Sequence, residues 1–337
     1  MPASVKDVAR RAGVSVGTVS NVLNRPAKVA PATVARVLAA VEELGFIRND
    51  AARQLRAGRS RTIGLIVLDG MNPFFMDVAR GAESQAALAD LVVLVGNSDH
   101  AEERETIYLE LFEEQRVHGV LISPIGDVES RLDRLKSRGI PAVLVDRSGG
   151  GSSLSSVSVD DVAGGHLAAM HLVEIGRTRI AFVGGPTGIR QVADRLEGAR
   201  RAVSETGVEL EVFPTKALSV LEGRAVGEML MSRPPSARPD GIFAANDLVA
   251  LGILQSLNAD GAMNIPNQTS LIGYDDIGFA SSASVALSSM RQPSGQIGQT
   301  AVEILLAEAA SPGLSPRRVV FQPELVVRQS SMLHGAP

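Results

Sequence analysis

Between Ile63 and Tyr274 the chain repeats one pattern. Short apolar runs, I-G-L-I-V-L at 63–68, L-V-V-L-V at 91–95, G-V-L-I-S at 119–123, A-V-L-V-D at 142–146, I-A-F-V-G at 180–184, G-I-F-A-A at 241–245 and S-L-I-G-Y at 270–274, alternate with helical stretches. Continuously apolar strands have no solvent face, so this alternation implies parallel sheets covered by helices on both sides. The rhythm breaks at R-S-G-G-G-S-S-L-S-S, a loop by composition, and restarts with V-S-V-D-D-V-A-G-G-H. Two α/β units of roughly 100–130 residues are expected, joined near residue 158.

The first 60 residues do not share the pattern. They carry ten Lys/Arg against four Asp/Glu, a net +6, whereas the remaining 277 carry 23 against 33, a net −10. Ser4 caps a first helix, Asp7 completes an acidic variant of the capping box, Val5, Val8, Ala9 and Ala12 face inward, and Gly13 ends it. Ser15 caps a second helix with Val19, Val22 and Leu23 at packing spacing, and two short helices joined by a Gly-containing turn form the helix-turn-helix pattern. A third helix starts at Pro31 and runs to Leu44, with Val34, Val37, Leu38, Val41 and Leu44 as its apolar stripe, before Gly45. In such a motif the second helix enters the major groove of DNA by its first turn, here Val16 and Gly17, with Asn21 one turn on. Asn21 can hydrogen-bond a base edge, Val16 can meet a thymine methyl, and Thr18 and Ser20 suit phosphate oxygens.

The segment N-D-A-A-R-Q-L-R that follows has almost no apolar anchor. A helix this short is not stable alone and would need DNA and a second copy of the chain to order it, with Leu55 as the one bulky wedge for a minor groove. The same composition also fits an Arg-rich linker.

Without cysteine there is no disulfide, thiol nucleophile or thiolate metal site. His100, His118, His166, His171 and His334 lack metal-ligand spacing, and neither a metal nor a cofactor is expected. No stretch approaches 18 uninterrupted apolar residues and no signal segment opens the chain, so a soluble cytoplasmic protein is expected, with no membrane partner. Ligands of parallel sheets bind at the carboxyl ends of strands, where this chain places Asp69 to Phe75, Asp146-Arg147, Asn246-Asp247 and Tyr274-Asp275-Asp276. Carboxylates and amides hold paired hydroxyls, and Arg147 or Arg195 donates in a fixed fork, a set that suits a neutral polyol better than a phosphate. Asp161 and Asp276 read as an ordinary helix cap or turn. G-G-P-T-G at 184–188 matches no nucleotide loop.

V-K-D-V-A-R-R-A-G-V-S-V-G-T-V-S-N-V-L-N, N-D-A-A-R-Q-L, I-G-L-I-V, N-P-F-F, V-D-R, A-N-D-L-V-A-L-G and S-L-I-G-Y-D-D, in this order, resemble the LacI/GalR family of bacterial transcriptional regulators over residues 4–330. The resemblance implies an all-α helix-turn-helix headpiece plus an α/β periplasmic-binding-protein-like core of two parallel-sheet subdomains. It divides the chain into residues 1–48 (headpiece), 49–61 (hinge helix and linker), 62–158 completed by about 290–330 (first subdomain), 159–289 (second subdomain) and 331–337 (tail). The implied DNA-facing set is Ser15, Val16, Gly17, Thr18, Ser20, Asn21, Asn24 and Lys28, followed by Asn49, Ala52, Arg53, Leu55 and Arg56. The implied effector set is Asp69, Phe74, Phe75, Asp146, Arg147, Arg195, Leu218, Asn246, Asp275 and Gln292, with Leu218 where relatives often carry an aromatic ring.

By resemblance the chain is a non-enzymatic repressor, a homodimer or in some cases a tetramer, bound to palindromic operator DNA and switched by a small sugar or sugar-like effector. Its alternative is a corepressor-dependent regulator sensing a nucleoside or other non-sugar metabolite. A sugar hydrolase using Asp69, Asp146 or Asp275, or a transport-type sugar-binding protein, leaves the basic headpiece unexplained.

Overall fold

Ser4 accepts a bond from Asp7 N while the Asp7 carboxylate accepts from Ser4 N at 3.0 Å, and this reciprocal cap starts α1 (Val5–Ala12). Gly13, at φ 63°, ends α1 in the left-handed conformation that glycine adopts without a Cβ clash. Ser15 Oγ accepts from Thr18 N at 3.0 Å and starts α2 (Val16–Asn24); α3 (Pro31–Glu43) follows a short 3-10 turn at Pro26–Lys28. Val8, Ala9, Ala12, Val19, Val22, Val37 and Ala40 close a small core, with Val5, Leu23, Val34, Val41 and Leu44 packed around it. Leu38 is not part of the α3 stripe and is 49% exposed. Val34, Val37, Val41 and Leu44 share one helix face at three- and four-residue spacing, and Leu38 sits beyond its edge.

The computed structural model describes residues 3–46, 60–150, 153–258 and 264–332. The chain divides into two compact units, residues 1–59 and 60–337. The expected hinge helix, with Asn49, Ala52, Arg53, Leu55 and Arg56, lies outside the described residues.

The larger unit holds two six-stranded sheets. The first contains β1 (Thr62–Val67), β2 (Val92–Asn97), β3 (Gly119–Ile122), β4 (Ala142–Val145), β5 (Ser155–Val159) and β11 (Arg318–Phe321), in the order β11-β5-β4-β3-β1-β2. The second contains β6 (Arg179–Val183), β7 (Glu209–Phe213), β8 (Gly241–Ala244), β9 (Ser270–Asp275), β10 (Ser288–Arg291) and β12 (Glu324–Val326), in the order β12-β10-β9-β8-β6-β7. Both therefore follow one doubly wound plan, and the observed pairs are parallel except β12 with β10. All seven apolar runs are strands. In sequence the strand restarts at Val157 and leaves Ser155 and Ser156 in the loop, whereas β5 begins at Ser155: its residues are Ser-Ser-Val-Ser-Val, and the serines look polar. Its serines are buried with partners: Ser155 Oγ donates to Glu308 and accepts from Arg317 N, and Ser156 Oγ accepts from Gly149 N.

The stretch 290–330 does not all complete the first sheet. β11 joins that sheet, but β12 pairs antiparallel with β10 in the second, and Ser330 beyond it exchanges bonds with Leu271. Chain order and packing are exchanged at the helices too. After β5, α7 (Asp161–Glu174) packs on α8 (Arg190–Thr206) beside the second sheet, whereas after β10, α12 (Ser294–Ala310) packs on α4 (Pro73–Ala87) beside the first. α5 (Glu102–Glu114) and α6 (Glu129–Ser137) complete the first sheet's cover, and α9 (Val220–Ser232), α10 (Asp247–Asn258) and the short α11 (Gly278–Ser282) that of the second.

Three helix pairs cross by one rule. A Cβ on Gly81 of α4 would stand 2.1 Å from Gly295 O of α12, and one on Gly298 of α12 would stand 2.0 Å from Val78 O of α4. Gly165 and Gly198 meet Arg195 O and Val162 O in the same way across α7 and α8, and Gly223 and Gly252 meet Val249 O and Val220 O across α9 and α10. In every case the carbonyl touched lies three residues before the partner glycine. Backbone lies directly on backbone, at a separation no side chain permits.

Among the described residues no helix is long and apolar enough to cross a membrane. Gly198→Ala is expected to lose about 1–3 kcal/mol of stability by overpacking this crossing. Gly188→Ala, where nothing lies within 4 Å, should stay within about 0.5 kcal/mol; equal urea midpoints for the two variants would refute the crossing argument.

Candidate functional site

Two surfaces carry the candidate chemistry. In the smaller unit the first turn of α2 is presented to solvent: Ser15, Val16, Gly17, Asn21, Asn24 and Lys28 are exposed, and Thr18 and Ser20 are half-buried. Val16 is 40% exposed, an apolar side chain held outside the core at the helix start. Ser15 and Thr18 hydroxyls bond each other at 2.9 Å, and Asn24 Nδ2 donates to Ser20 O at 2.8 Å. Those side chains shape the helix, while Val16, Gly17 and Asn21 remain as its outward face. Ion pairs Arg10–Asp7 and Arg11–Glu43 neutralise part of the local charge; Lys6, Arg25, Lys28 and Arg36 are exposed. Ser4's hydrogen bonds hold the Asp7 carboxyl below its ordinary value, so the cap stays ionised.

In the larger unit a cavity opens where strands of both sheets end. Leu68, Asp69, Asn72, Phe74, Phe75, His100 and Asp146 line it from the first sheet's side, and Ile189, Gln191, Arg195, Leu218, Asn246 and Asp275 from the second's. Eight expected residues thus converge: Asp69, Phe74, Phe75, Asp146, Arg195, Leu218, Asn246 and Asp275. Arg147 and Gln292 do not line the cavity. Asp146 takes a left-handed φ of 54°, turning the chain at the strand end, and Arg147 beyond it is only half-buried. Gln292 stands behind Asp275, donating Nε2 to Oδ1 at 2.8 Å.

Arg195 is the cavity's cation and is 4% exposed. Nε donates to Asp161 Oδ1 at 2.8 Å, Nη1 donates to Ala245 O at 2.7 Å and lies 3.7 Å from Asp275 Oδ1, and the guanidinium carbon stands 3.6 Å from the centre of the Tyr274 ring. Asp161, which reads in sequence as a cap, is therefore an ion-pair partner; the capping residue is Asp160, whose Oδ1 accepts from Ala163 N. Adjacent carboxylates at a helix start have no sequence signal that separates these roles. Asp276 stays outside the cavity, paired with Arg291 and Arg328.

Two side-chain amides bridge the cleft, and that of Gln191 also donates Nε2 to the Asp146 backbone O at 2.5 Å. Asn72 Nδ2 donates to Asp275 Oδ2 at 2.8 Å, and Gln191 Nε2 donates to Asp146 Oδ2 at 2.9 Å, while Asp146 Oδ1 is buried without a partner among the described residues. Asn72 doubles as the α4 cap through Oδ1. Sequence reading missed Asn72, Gln191, Leu68, His100 and Ile189; Asn72, which opens N-P-F-F, carried the one usable signal.

The electrostatics are set by burial. Burial works against the Arg195 cation, but Asp161 and Asp275 outweigh it and raise its pKa. Burial, with Asp161 adding repulsion, pushes Asp146 well above the usual carboxylate range, and burial raises Asp161 despite Arg195. Asp275 is pushed up to about 6 by burial, against the pull of Arg195, Asn72 and Gln292. One cation among three buried carboxylates disfavours a phosphate and accepts hydroxyl or N–H donors.

Two family profiles match this chain: "Bacterial regulatory proteins, lacI family" at residues 4–49, and "Periplasmic binding protein-like domain" at 169–331. The HTH-type transcriptional repressor PurR of Aliivibrio fischeri (strain MJ11) is 33% identical, covering 97% of this chain and 98% of its own. The ribose operon repressor of Escherichia coli (strain K12) is 31% identical, covering 98% and 100%. Among solved structures, the Lac repressor dimer bound to operator and the anti-inducer ONPF is similar with a TM-score of 0.84 at 25% identity, covering 99% of this chain and 100% of that one.

The Asp275 carboxyl gives a pH signature. Its folded value, about 6, lies above the ordinary 3.8, so the folded chain retains a proton that the unfolded chain has released. Its contribution to stability is full below about pH 3.8 and is lost as pH rises to about 6. Over that window the unfolding temperature of the wild type should fall relative to that of Asp275→Asn, measured by scanning calorimetry; parallel curves would contradict the assignment.

Proposed function

Because the chain belongs to the lacI family of bacterial regulatory proteins, we propose a specific division of labour for its two surfaces. It is a DNA-binding transcriptional regulator, not an enzyme, and its core takes a small effector. α2 reads a major groove through Val16, Gly17 and Asn21, with exposed Lys28 and Arg25 on phosphates. The effector sits in the cavity around Arg195.

Its chemistry follows the two kinds of wall. Leu68, Phe74, Phe75, Ile189 and Leu218 form an apolar lining for a flat ring, and Asp146, Arg195, Asn246 and Asp275 accept or donate to hydroxyls and ring N–H groups. The surplus of carboxylates argues against a phosphate, hence a nucleoside or purine base rather than a nucleotide. This is the alternative already weighed from sequence beside the sugar, and the identity to the PurR repressor, 33% against 31% for the ribose operon repressor, supports it. A free pentose is the second reading, favoured by the likeness to the ribose operon repressor. The observation that carries the proposal is the buried Arg195 shared between Asp161 and Asp275 at the mouth of both sheets.

The chain acts as a homodimer on a palindromic site, as in the similar repressor dimer bound to operator. β2 is an edge strand of the first sheet, and Leu88, Val92, Leu94, Ile107 and Leu111 around it are exposed large apolar side chains. Such a strip suits a second copy of the same surface. Effector and DNA bind distinct units, so their coupling is reciprocal: effector changes DNA affinity by the factor by which DNA changes effector affinity.

Thermal-shift titration with hypoxanthine, guanine, inosine, adenosine and D-ribose tests the ligand class. Arg195→Lys, which keeps a cation among Asp161 and Asp275 but loses the guanidinium fork, should weaken the responding compound about 10- to 100-fold, the worth of charged hydrogen bonds, and leave ligand-free DNA binding intact; full affinity in calorimetry would remove Arg195 from the site. Sedimentation and gel shifts test the other surfaces together. Ile107→Glu should yield monomers that have lost high-affinity binding to a palindrome, whereas Asn21→Ala should remain dimeric and lose about 1–3 kcal/mol of discrimination between specific and scrambled DNA. A dimeric Ile107→Glu, or an Asn21→Ala with unchanged discrimination, would refute the corresponding surface.

A further inference from the structure

β2 ends at Asn97, and the chain then turns through two consecutive left-handed residues, Asp99 at φ 52° and His100 at φ 56°. Such a pair is costly for residues other than glycine and persists only where surrounding bonds over-determine it. Here they do. Ser98 N donates to Val67 O at 3.0 Å, His100 N donates to Leu68 O at 3.1 Å, and Asn97 Oδ1 accepts from both Gly70 N and Asp99 N. The loop is thereby fastened to the end of β1, and the imidazole becomes a fixed part of the cavity wall.

Its Nδ1 is buried and has no hydrogen-bond partner among the described residues. Buried polar atoms are satisfied as a rule, and the exceptions cluster where something binds. On this wall Asp146 Oδ1 is also without a partner among the described residues, whereas Asp69 Oδ1 accepts from Met71 N, Asn72 Oδ1 accepts from Phe74 N, and Asn72 Nδ2 donates to Asp275. Leu68, to which His100 is tied, belongs to the apolar lining with Phe74 and Phe75.

We propose that His100 is a specificity-determining residue whose Nδ1 hydrogen-bonds a polar edge atom of the effector's flat ring, while the Arg195 side of the cleft holds its hydroxyls. The assignment rests on the nucleoside reading above and adds to it the group that tells a base from a bare sugar. An imidazole nitrogen suits a heteroaromatic edge because, according to tautomer, it either donates to a ring nitrogen or accepts from a ring N–H.

The full chain is titrated calorimetrically with inosine, hypoxanthine and D-ribose, as wild type, as His100→Phe, which keeps a ring without the nitrogen, and as His100→Asn, which tolerates the left-handed backbone. Both variants should bind inosine and hypoxanthine about three- to tenfold more weakly, the worth of one hydrogen bond. The ligand-free unfolding temperature of His100→Asn should not fall, because asparagine tolerates the left-handed φ that phenylalanine strains. Unchanged affinity in both variants overturns the role of His100 and leaves the ligand class standing. In His100→Asn, a loss of affinity matched by a loss of ligand-free stability overturns it also, by making His100 a structural residue. If neither inosine nor hypoxanthine binds the wild type, the nucleoside reading and this inference fall together.

Discussion

The guanidinium of Arg195 is the interaction on which the candidate site depends. An arginine that is 4% exposed is tolerable only if its charge and its donors are met. Asp161 at the start of α7, Ala245 O just beyond β8, Asp275 at the end of β9 and the face of Tyr274 meet them. One side chain thus ties together three segments, the start of α7 and the ends of β8 and β9. Removing it leaves Asp146, Asp161 and Asp275 buried without a cation, an arrangement that costs more than the pair contributes. Each carboxylate's ionisation therefore depends on how the others share Arg195.

Where Arg195 stands is decided by backbone packing. Its own carbonyl is the atom that a Cβ on Gly165 would strike at 2.0 Å, so the α7–α8 crossing sets the height of the guanidinium above the second sheet. The equivalent crossing of α4 and α12 places Asn72, Phe74 and Phe75, at the start of α4, against the first sheet. α7 and α12 each follow a strand of one sheet and pack on the other. The two halves of the cavity are built by one glycine rule and are tied together by the helices that cross between them.

The architecture was legible where burial is written in apolar residues. All seven apolar runs are strands: six are buried on both faces and so have no polar positions to blur them, whereas β2 is apolar but lies exposed at the sheet edge, against the expectation of cover on both sides. The start of β5 was illegible because its burial is achieved with serine, and a satisfied hydroxyl looks polar in sequence while behaving as filler in the core. β12 was illegible because three residues carry no periodicity and its place is fixed only by pairing with β10. In the site, Asp69, Asp146, Arg195, Asn246 and Asp275 were legible as polar groups at the ends of buried strands. Asp161 was not, since the adjacent Asp160 offers the same chemistry to a helix start and only three-dimensional proximity to Arg195 tells them apart. His100 was illegible for a related reason: it follows β2 by three residues, and nothing in Asn-Ser-Asp-His states that the turn would be left-handed and aimed at the cavity.

The bonds that cross the cleft constrain how any ligand can act. Asn72 on Asp275 and Gln191 on Asp146 join the two sheets' loops using protein groups alone. A ligand that donates to these carboxylates either adds to the amides, by taking a lone pair such as that of Asp146 Oδ1, or replaces them. Adding tightens a contact between the halves that already exists; replacing exchanges a direct bridge for one that runs through the ligand. A ligand shifts an equilibrium only by the difference in its affinity for the two states. The direction of the response therefore turns on whether the bound molecule spans the same separation that the Asn72 and Gln191 amides span. A molecule that fits that spacing would hold the halves as they stand, and one that exceeds it would separate them.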